Sequence, residues 1–225
     1  MPLTDFQTLV DNKIRDEESR IATADRDTAI GNAVLRYSVD RPQTKVEDLV
    51  SAGGHYLDLP AAWEDGFSAL LQIEFPIGEY PPELLDNSGW SLYQSPSGQQ
   101  IFLRDALTNG DSVRATYTIQ HQVDANTDTT PAKDREAIAC WAAALLCDQL
   151  ASYYSGESNP TIQADAVQHS DTSRRFASRA KGFREQYFNE LGIDPKRNVA
   201  AGVVVDLDLK NSLGLDRLTH PRRYR

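Results

Sequence analysis

Residues 137–147 read A-I-A-C-W-A-A-A-L-L-C, an uncharged run bounded by Asp134-Arg135-Glu136 and Asp148-Gln149. Apolar residues fall on nearly every side of such a helix, which marks it as buried between neighbours and not laid on a surface. It is well short of the ~20 apolar residues that a membrane span needs. Thr130 is placed to cap this helix and Pro131 to begin it, and the helix is expected to run to about Tyr154. Its two cysteines, Cys140 and Cys147, are the only ones in the chain. Seven positions apart on one helix, their Cα atoms lie ~10 Å apart. A disulfide needs ~7 Å or less, so both are read as free core residues.

Partners for this helix are visible on either side. Thr4 with Gln7 forms a capping-box pattern, and Phe6, Leu9, Val10 and Ile14 then keep one apolar face. Asp25 is placed to cap a second helix with a stripe of Ala29, Ile30, Ala33, Val34 and Tyr37, ended by Pro42. A fourth helix carries Phe176, Ala180, Phe183 and Tyr187, with Gly192 as its cap and Pro195 beyond.

Between the second and third helices the period changes. K-V-E-D-L-V, H-Y-L-D-L and F-S-A-L-L-Q-I-E-F are short runs separated by glycine and proline, and W-S-L-Y-Q-S and Q-Q-I-F-L-R flank Pro96-Ser97-Gly98 as a hairpin would. After the Asn109-Gly110-Asp111 turn, Val113, Ala115, Tyr117 and Ile119 alternate with polar residues, as on a sheet with one wet face. About six strands at this spacing suggest a small sandwich or barrel-like domain with its own aromatic core. The expected fold class is therefore α+β: a four-helix body with an inserted small antiparallel β domain and an extended C-terminal arm. The expected boundaries are 1–40 and 125–195 for the helical body, 41–124 for the β domain and 196–225 for the arm. No internal repeat is present.

Charge is unevenly spread. Residues 196–225 hold seven Lys/Arg against three Asp, whereas the other 195 hold 16 against 30, so a +4 tail follows a −14 body. An acidic body repels phosphate backbones, which disfavours general nucleic-acid binding by it. The tail contains V-V-V-D-L-D-L (203–209), a strand-like run without an aromatic core of its own, and ends R-L-T-H-P-R-R-Y-R. Such a strand is expected to pair with an edge elsewhere. The start, M-P-L-T-D-F-Q, has no basic segment followed by an apolar run, so a soluble protein without a secretory leader is expected.

Catalytic patterns are missing from the sequence. It holds no phosphate loop ending in Lys-Ser/Thr, no H-E-x-x-H, no G-x-S-x-G and no C-x-x-C. His55, His121, His169 and His220 are scattered, and Ser170 beside His169 points elsewhere on a helix. Arg15 to Arg20 reads as a solvated helix face with i,i+4 pairs. Arg174, Arg175, Arg179, Lys181 and Arg184 give the fourth helix a basic flank, read as solvated surface with a docking face as the alternative. No enzyme activity, cofactor or metal is expected.

Several stretches resemble head–tail adaptor (connector) proteins of tailed bacteriophages. They are A-I-G-N-A-V-L-R-Y-S-V-D-R-P (29–42), L-P-A-A-W-E-D-G-F (59–67), I-E-F-P-I-G-E-Y-P-P (73–82), A-A-A-L-L-C-D-Q-L-A (142–151) and the P-T-I-Q-A-D run from Pro160. The similarity covers about residues 1–192 and is one of pattern, without a catalytic signature. It implies a structural virion protein at the head–tail junction, assembled in the bacterial host cytoplasm. Copies would form a homo-oligomeric ring, commonly of twelve, beneath the portal protein. That ring would extend the DNA channel, pass DNA without binding it specifically, and offer a platform to tail components, with no membrane involved. In that setting the tail reads as a docking arm. Val203, Val205, Leu207 and Leu209 supply its strand face, and Arg217, Arg222, Arg223 and Arg225 meet acidic surface on a partner. The rival readings are a tail terminator or stopper ring protein, and a nucleic-acid-binding protein that uses the basic tail.

Overall fold

A computed structural model of the chain describes residues 2–15, 20–96, 98–156 and 163–195, with backbone alone along 163–171. In order the elements are helices α1 (Pro2–Ile14) and α2 (Thr23–Asp40), then strands β1 (Gln43–Val50), β2 (Gly54–Leu57), β3 (Leu70–Glu74), β4 (Trp90–Ser95), β5 (Gly98–Leu107) and β6 (Ser112–Ile119). A 3-10 turn over Ala132–Asp134 leads into α3 (Arg135–Gly156), and α4 (Gln163–Leu191) follows. No described helix is long and apolar enough to cross a membrane.

The described residues divide into two compact units, one formed from those within 2–46, 61–71 and 116–195 and the other from those within 47–60 and 72–115. In the first, α1, α2 and α4 all pack on α3. Ala137, Ile138, Ala139, Cys140, Ala142, Ala143, Ala144 and Leu146 are all essentially inaccessible, so the central helix is covered on several sides. Phe6, Val10 and Ile14 of α1, Ile30, Ala33 and Val34 of α2, and Tyr187 and Leu191 of α4 close the same core. Alanine suits α3 because it is the best helix former and lets three helices approach one axis. At the end of α2, the Arg41 N–H donates to Tyr37 O at 2.7 Å before Pro42 stops the helix. At the end of α4, Gly192 turns at φ +67°, and Ile193 N–H reaches back to Phe188 O at 2.9 Å.

In the second unit, β2, β5 and β4 form an antiparallel sheet in which Tyr56 faces Phe102, Leu57 faces Ile101 and Trp90 faces Leu103. The β4–β5 hairpin closes on the Ser95–Gly98 pair, where the Pro-Ser-Gly turn was expected. Ile101 and Leu103 are buried, whereas Tyr56, Tyr93 and Phe102 cluster on the other side with ring centroids 5.5 Å apart. A second sheet has the order β1-β6-β3, and each of its strands contributes residues to both units. In β6, Val113, Ala115 and Tyr117 are fully buried as the alternation predicts, but Thr118 is buried as well and Ile119 only partly so.

This architecture corrects the expected fold class. It is α+β, but it does not resolve into a four-helix body carrying one small β domain. The strands form two three-stranded sheets, and residues 61–71 and the end of β6 belong to the same compact unit as the helices. Helical periodicity counts helices correctly but is silent on what else packs with them. The extended arm at 196–225 lies outside the described residues.

Helix starts also differ from expectation. The Gln7 side chain donates to Asp27 across helices at 2.7 Å and does not close a capping box. Ala22, not Asp25, occupies the N-cap of α2. The Thr130 hydroxyl donates to Asp128 at 2.6 Å, so α3 is entered through the 3-10 turn. For Gln7 a partner on another helix outcompetes the local cap, and for Thr130 a side chain two residues earlier does.

Because α3 is packed on alanines, enlarging one of them should disrupt the unit even though helix propensity hardly changes. Ala143→Leu is expected to cost about 1–3 kcal/mol in urea unfolding. Ala177→Leu, at an exposed position of α4, should stay within about 0.5 kcal/mol of wild type.

Candidate functional site

The most developed polar cluster in the helical unit forms where α2 ends and α3 begins. Asp134, 5 % exposed, accepts hydrogen bonds from the Tyr37 hydroxyl at 2.7 Å and the Arg41 guanidinium at 3.1 Å. Arg41 also donates to Leu191 O at 2.7 Å, which ties the end of α4 to the same point. His121 packs against Tyr37 with ring centroids 5.0 Å apart, and its backbone N–H donates to Ser38 Oγ at 2.9 Å. Its Nε2 lies 3.1 Å from Arg41 O, and its Nδ1 lies 3.0 Å from Thr129 O and 3.1 Å from Thr129 Oγ1. Tyr187 extends the pattern by donating to Asp40 at 2.6 Å, with Asp40 also paired to Arg36.

The charges of these groups suit them to holding structure. Burial, reinforced by Asp134, pushes the Tyr37 phenol well above its ordinary range, so it stays a neutral donor. Burial and Asp40 do the same to Tyr187. Cys140 and Cys147 are buried and free, as expected, and burial pushes both thiols up to about 11. A thiol held neutral at physiological pH is a poor nucleophile.

Beside this cluster a cleft of about 480 Å³ opens between Gln43 and Lys45 of β1, Trp63 and Glu64, and Ile119, Gln120 and Gln122. Trp63 leans on Tyr117 with centroids 5.9 Å apart, and Glu64 accepts from Gln120 N at 3.0 Å. In the other unit, a cleft of about 230 Å³ is lined by Phe75, Leu85, Leu103 and Leu107 with Glu83 and Asp105 at its sides. Among the described residues no three His, Cys, Asp or Glu side chains converge as metal ligands would. His55 bonds Leu103 O at 3.0 Å and stacks on Phe102, and it belongs to a different unit from His121. The side chains of His169, Ser170 and His220 lie outside the described residues.

The basic flank of α4 divides in two. Arg179 stacks near Phe176 and Phe183, 5.6 and 5.9 Å from their centroids, and donates to Lys13 O and Ile14 O at the end of α1. It caps a helix C-terminus, where a cation is favoured. Arg184 pairs with Asp148. Arg174, Arg175 and Lys181 remain on the exposed surface. The arm residues Val203, Val205, Leu207, Leu209, Arg217, Arg222, Arg223 and Arg225 all lie outside the described residues, so the structure brings none of them to a site.

Sequence reading missed the Asp134 cluster. Its one legible signal was Tyr37, a residue on an apolar stripe whose hydroxyl needs a buried partner. The Trp63–Glu64 cleft had none, because it depends on β1, β6 and a loop meeting.

Compared with known proteins, the chain matches no family model and no curated protein.

Two outcomes are expected here. Asp134→Ala should cost about 3 kcal/mol in denaturant unfolding, since it strands a buried hydroxyl and a guanidinium. In the native protein at pH 8, both thiols should resist alkylation, and both should react once urea unfolds the chain. Because burial raises the thiols, their contribution to stability is complete below the unfolded thiol's ordinary ~8.5. It should be lost as pH climbs from there towards about 11.

Proposed function

We propose that the protein is a structural virion component, a head–tail adaptor whose copies form a ring beneath the portal, extend the DNA channel and receive the tail. One observation carries this reading: the stretches that resemble such adaptors fall on residues that hold the units together. Residues 29–42 supply Tyr37, Ser38 and Arg41, all engaged in the α2–α3 cluster. Residues 59–67 supply Trp63 and Glu64, and 142–151 form part of buried α3. Ile73, from 73–82, is fully buried in the second unit. A likeness written in packing residues is a likeness of fold, and the role follows from it by analogy.

The acidic body supports the same reading, because a like-charged wall lets DNA pass without adhering to it. The +4 segment at 196–225 acts as the docking arm, its arginines meeting acidic surface on the portal or a neighbouring subunit.

The test is a nuclease-treated pull-down from the native source with full-length protein tagged at its N-terminus. A portal-sized ring protein recovered with tail components is the expected result. Tail-tube protein alone would favour the terminator or stopper reading. Partners that appear only when nuclease is omitted would make the tail a nucleic-acid arm. A chain ending at Pro195 is expected to melt like the full-length protein yet fail to enter particles; normal incorporation would remove the arm from the account.

A further inference from the structure

The second unit carries charge out of proportion to its size. Residues 47–60 and 72–115 hold nine Asp/Glu against two Arg, a balance of −7 and so half of the −14 on residues 1–195. The unit's own cations leave most of that charge open. Arg114 is committed to Asp48 and Glu74. Arg104 is exposed, and the alternation of β5 turns it to the face opposite Leu103, Asp105 and Leu107.

Within this acidic unit the cleft of about 230 Å³ has an apolar lining of Phe75, Leu85, Leu103 and Leu107. Backbone bonds hold its walls: Phe75 N–H donates to Glu83 O at 3.0 Å, and Leu85 N–H donates to Ile73 O at 2.8 Å. Glu83 and Asp105 stand at its sides, both exposed and neither with a side-chain partner among the described residues. An apolar recess between two unpaired carboxylates fits a large apolar side chain with a guanidinium beside it.

The chain itself supplies such a group. Residues 217–225 hold four Arg and no Asp or Glu, and Tyr224 stands among three of those arginines in P-R-R-Y-R (221–225). In an extended segment Arg222 and Tyr224 share a face, so ring and guanidinium meet a surface together. The 28 residues from Pro195 to Arg223 can span ~90 Å when extended, which is enough to cross from one copy to the next.

We propose that Tyr224 of one copy enters this cleft on the second unit of a neighbouring copy, with Arg222 meeting the carboxylates of Glu83 and Asp105. Arg223 and Arg225, on the other face, are drawn by the −7 field around the cleft. Arm and cleft are different surfaces, so the contact is head-to-tail, the kind that closes into a ring when the rotation per subunit allows. This rests on the ring reading above and names the surface that receives the arm.

Sedimentation of the full-length chain over a range of concentrations, alone and with the captured partners, tests it. Glu83→Lys/Asp105→Lys and Arg222→Glu/Arg223→Glu should each weaken self-association ~10-fold or more, and Tyr224→Ala should do so with no change of charge. An equimolar mixture of the two charge variants should restore association, because each arm then finds a cleft of opposite sign on the other variant. The cleft variant should melt like wild type, since its altered side chains are exposed and unpaired. Glu79→Lys/Asp86→Lys makes the same change of charge on exposed residues outside the cleft lining, and should weaken association less. An equal loss there, an unaffected Tyr224→Ala or a mixture that fails to recover would overturn the docking and leave the ring reading in place. If wild type stays monomeric at every concentration, even with its captured partners, the ring reading falls and takes this contact with it.

Discussion

The helical unit depends on one buried carboxylate. Asp134 stands at the entrance to α3, and three chain segments are fastened through it: α2 by the Tyr37 hydroxyl, the α2–β1 link by Arg41, and the end of α4 by the same guanidinium reaching Leu191 O. A carboxylate so deeply buried is costly unless its lone pairs are used, and here it accepts a short bond from the Tyr37 hydroxyl and a longer, charge-assisted one from Arg41. Apolar packing on α3 is non-directional and would tolerate its neighbours sliding or rotating about it. The Asp134 bonds are directional, so they select one arrangement among several that the alanine surface alone would accept.

The same division explains what could be read in the sequence. The apolar run 137–147 announced a buried helix, and the alternation at 113–119 announced a half-buried strand, because each pattern is written in contiguous residues. Gly192 announced a helix end for the same local reason. The cap assignments failed for two reasons: Gln7 found Asp27 on another helix, and Thr130 turned back to Asp128 two residues before it. The sheets failed differently. Strand order β1-β6-β3 pairs segments almost seventy residues apart, and nothing local to either strand encodes which one will be its neighbour. The Asp134 cluster, with partners 93 and 97 residues away, was out of reach on the same grounds.

Arginine positions make a similar point. In sequence, Arg174, Arg175, Arg179, Lys181 and Arg184 form one basic block. In the structure, Arg179 spends its charge on the carbonyls ending α1 and on two phenylalanine rings, and Arg184 spends its charge on Asp148. The electrostatic surface is thus smaller than the block, and it is confined to the face that α4 turns away from α3. A count of basic residues overstates what a partner would meet.

The direction in which the ionisable groups are shifted also bears on function. A group recruited for acid–base work is tuned towards neutrality, so that it can change charge in the reaction. Here the shifts run outward. Burial drives Tyr37, Tyr187 and both cysteines further into their neutral forms. The Arg114 fork holds Asp48 below the usual carboxylate range, deeper in its ionised form. For Lys13, burial pulls downward most strongly of any one cause, but Glu136 and Cys140 together outweigh it and the ammonium is raised. Each of these groups is held further into the charge state it already has at physiological pH, so the shifts reinforce the bonds and burial that fix the fold.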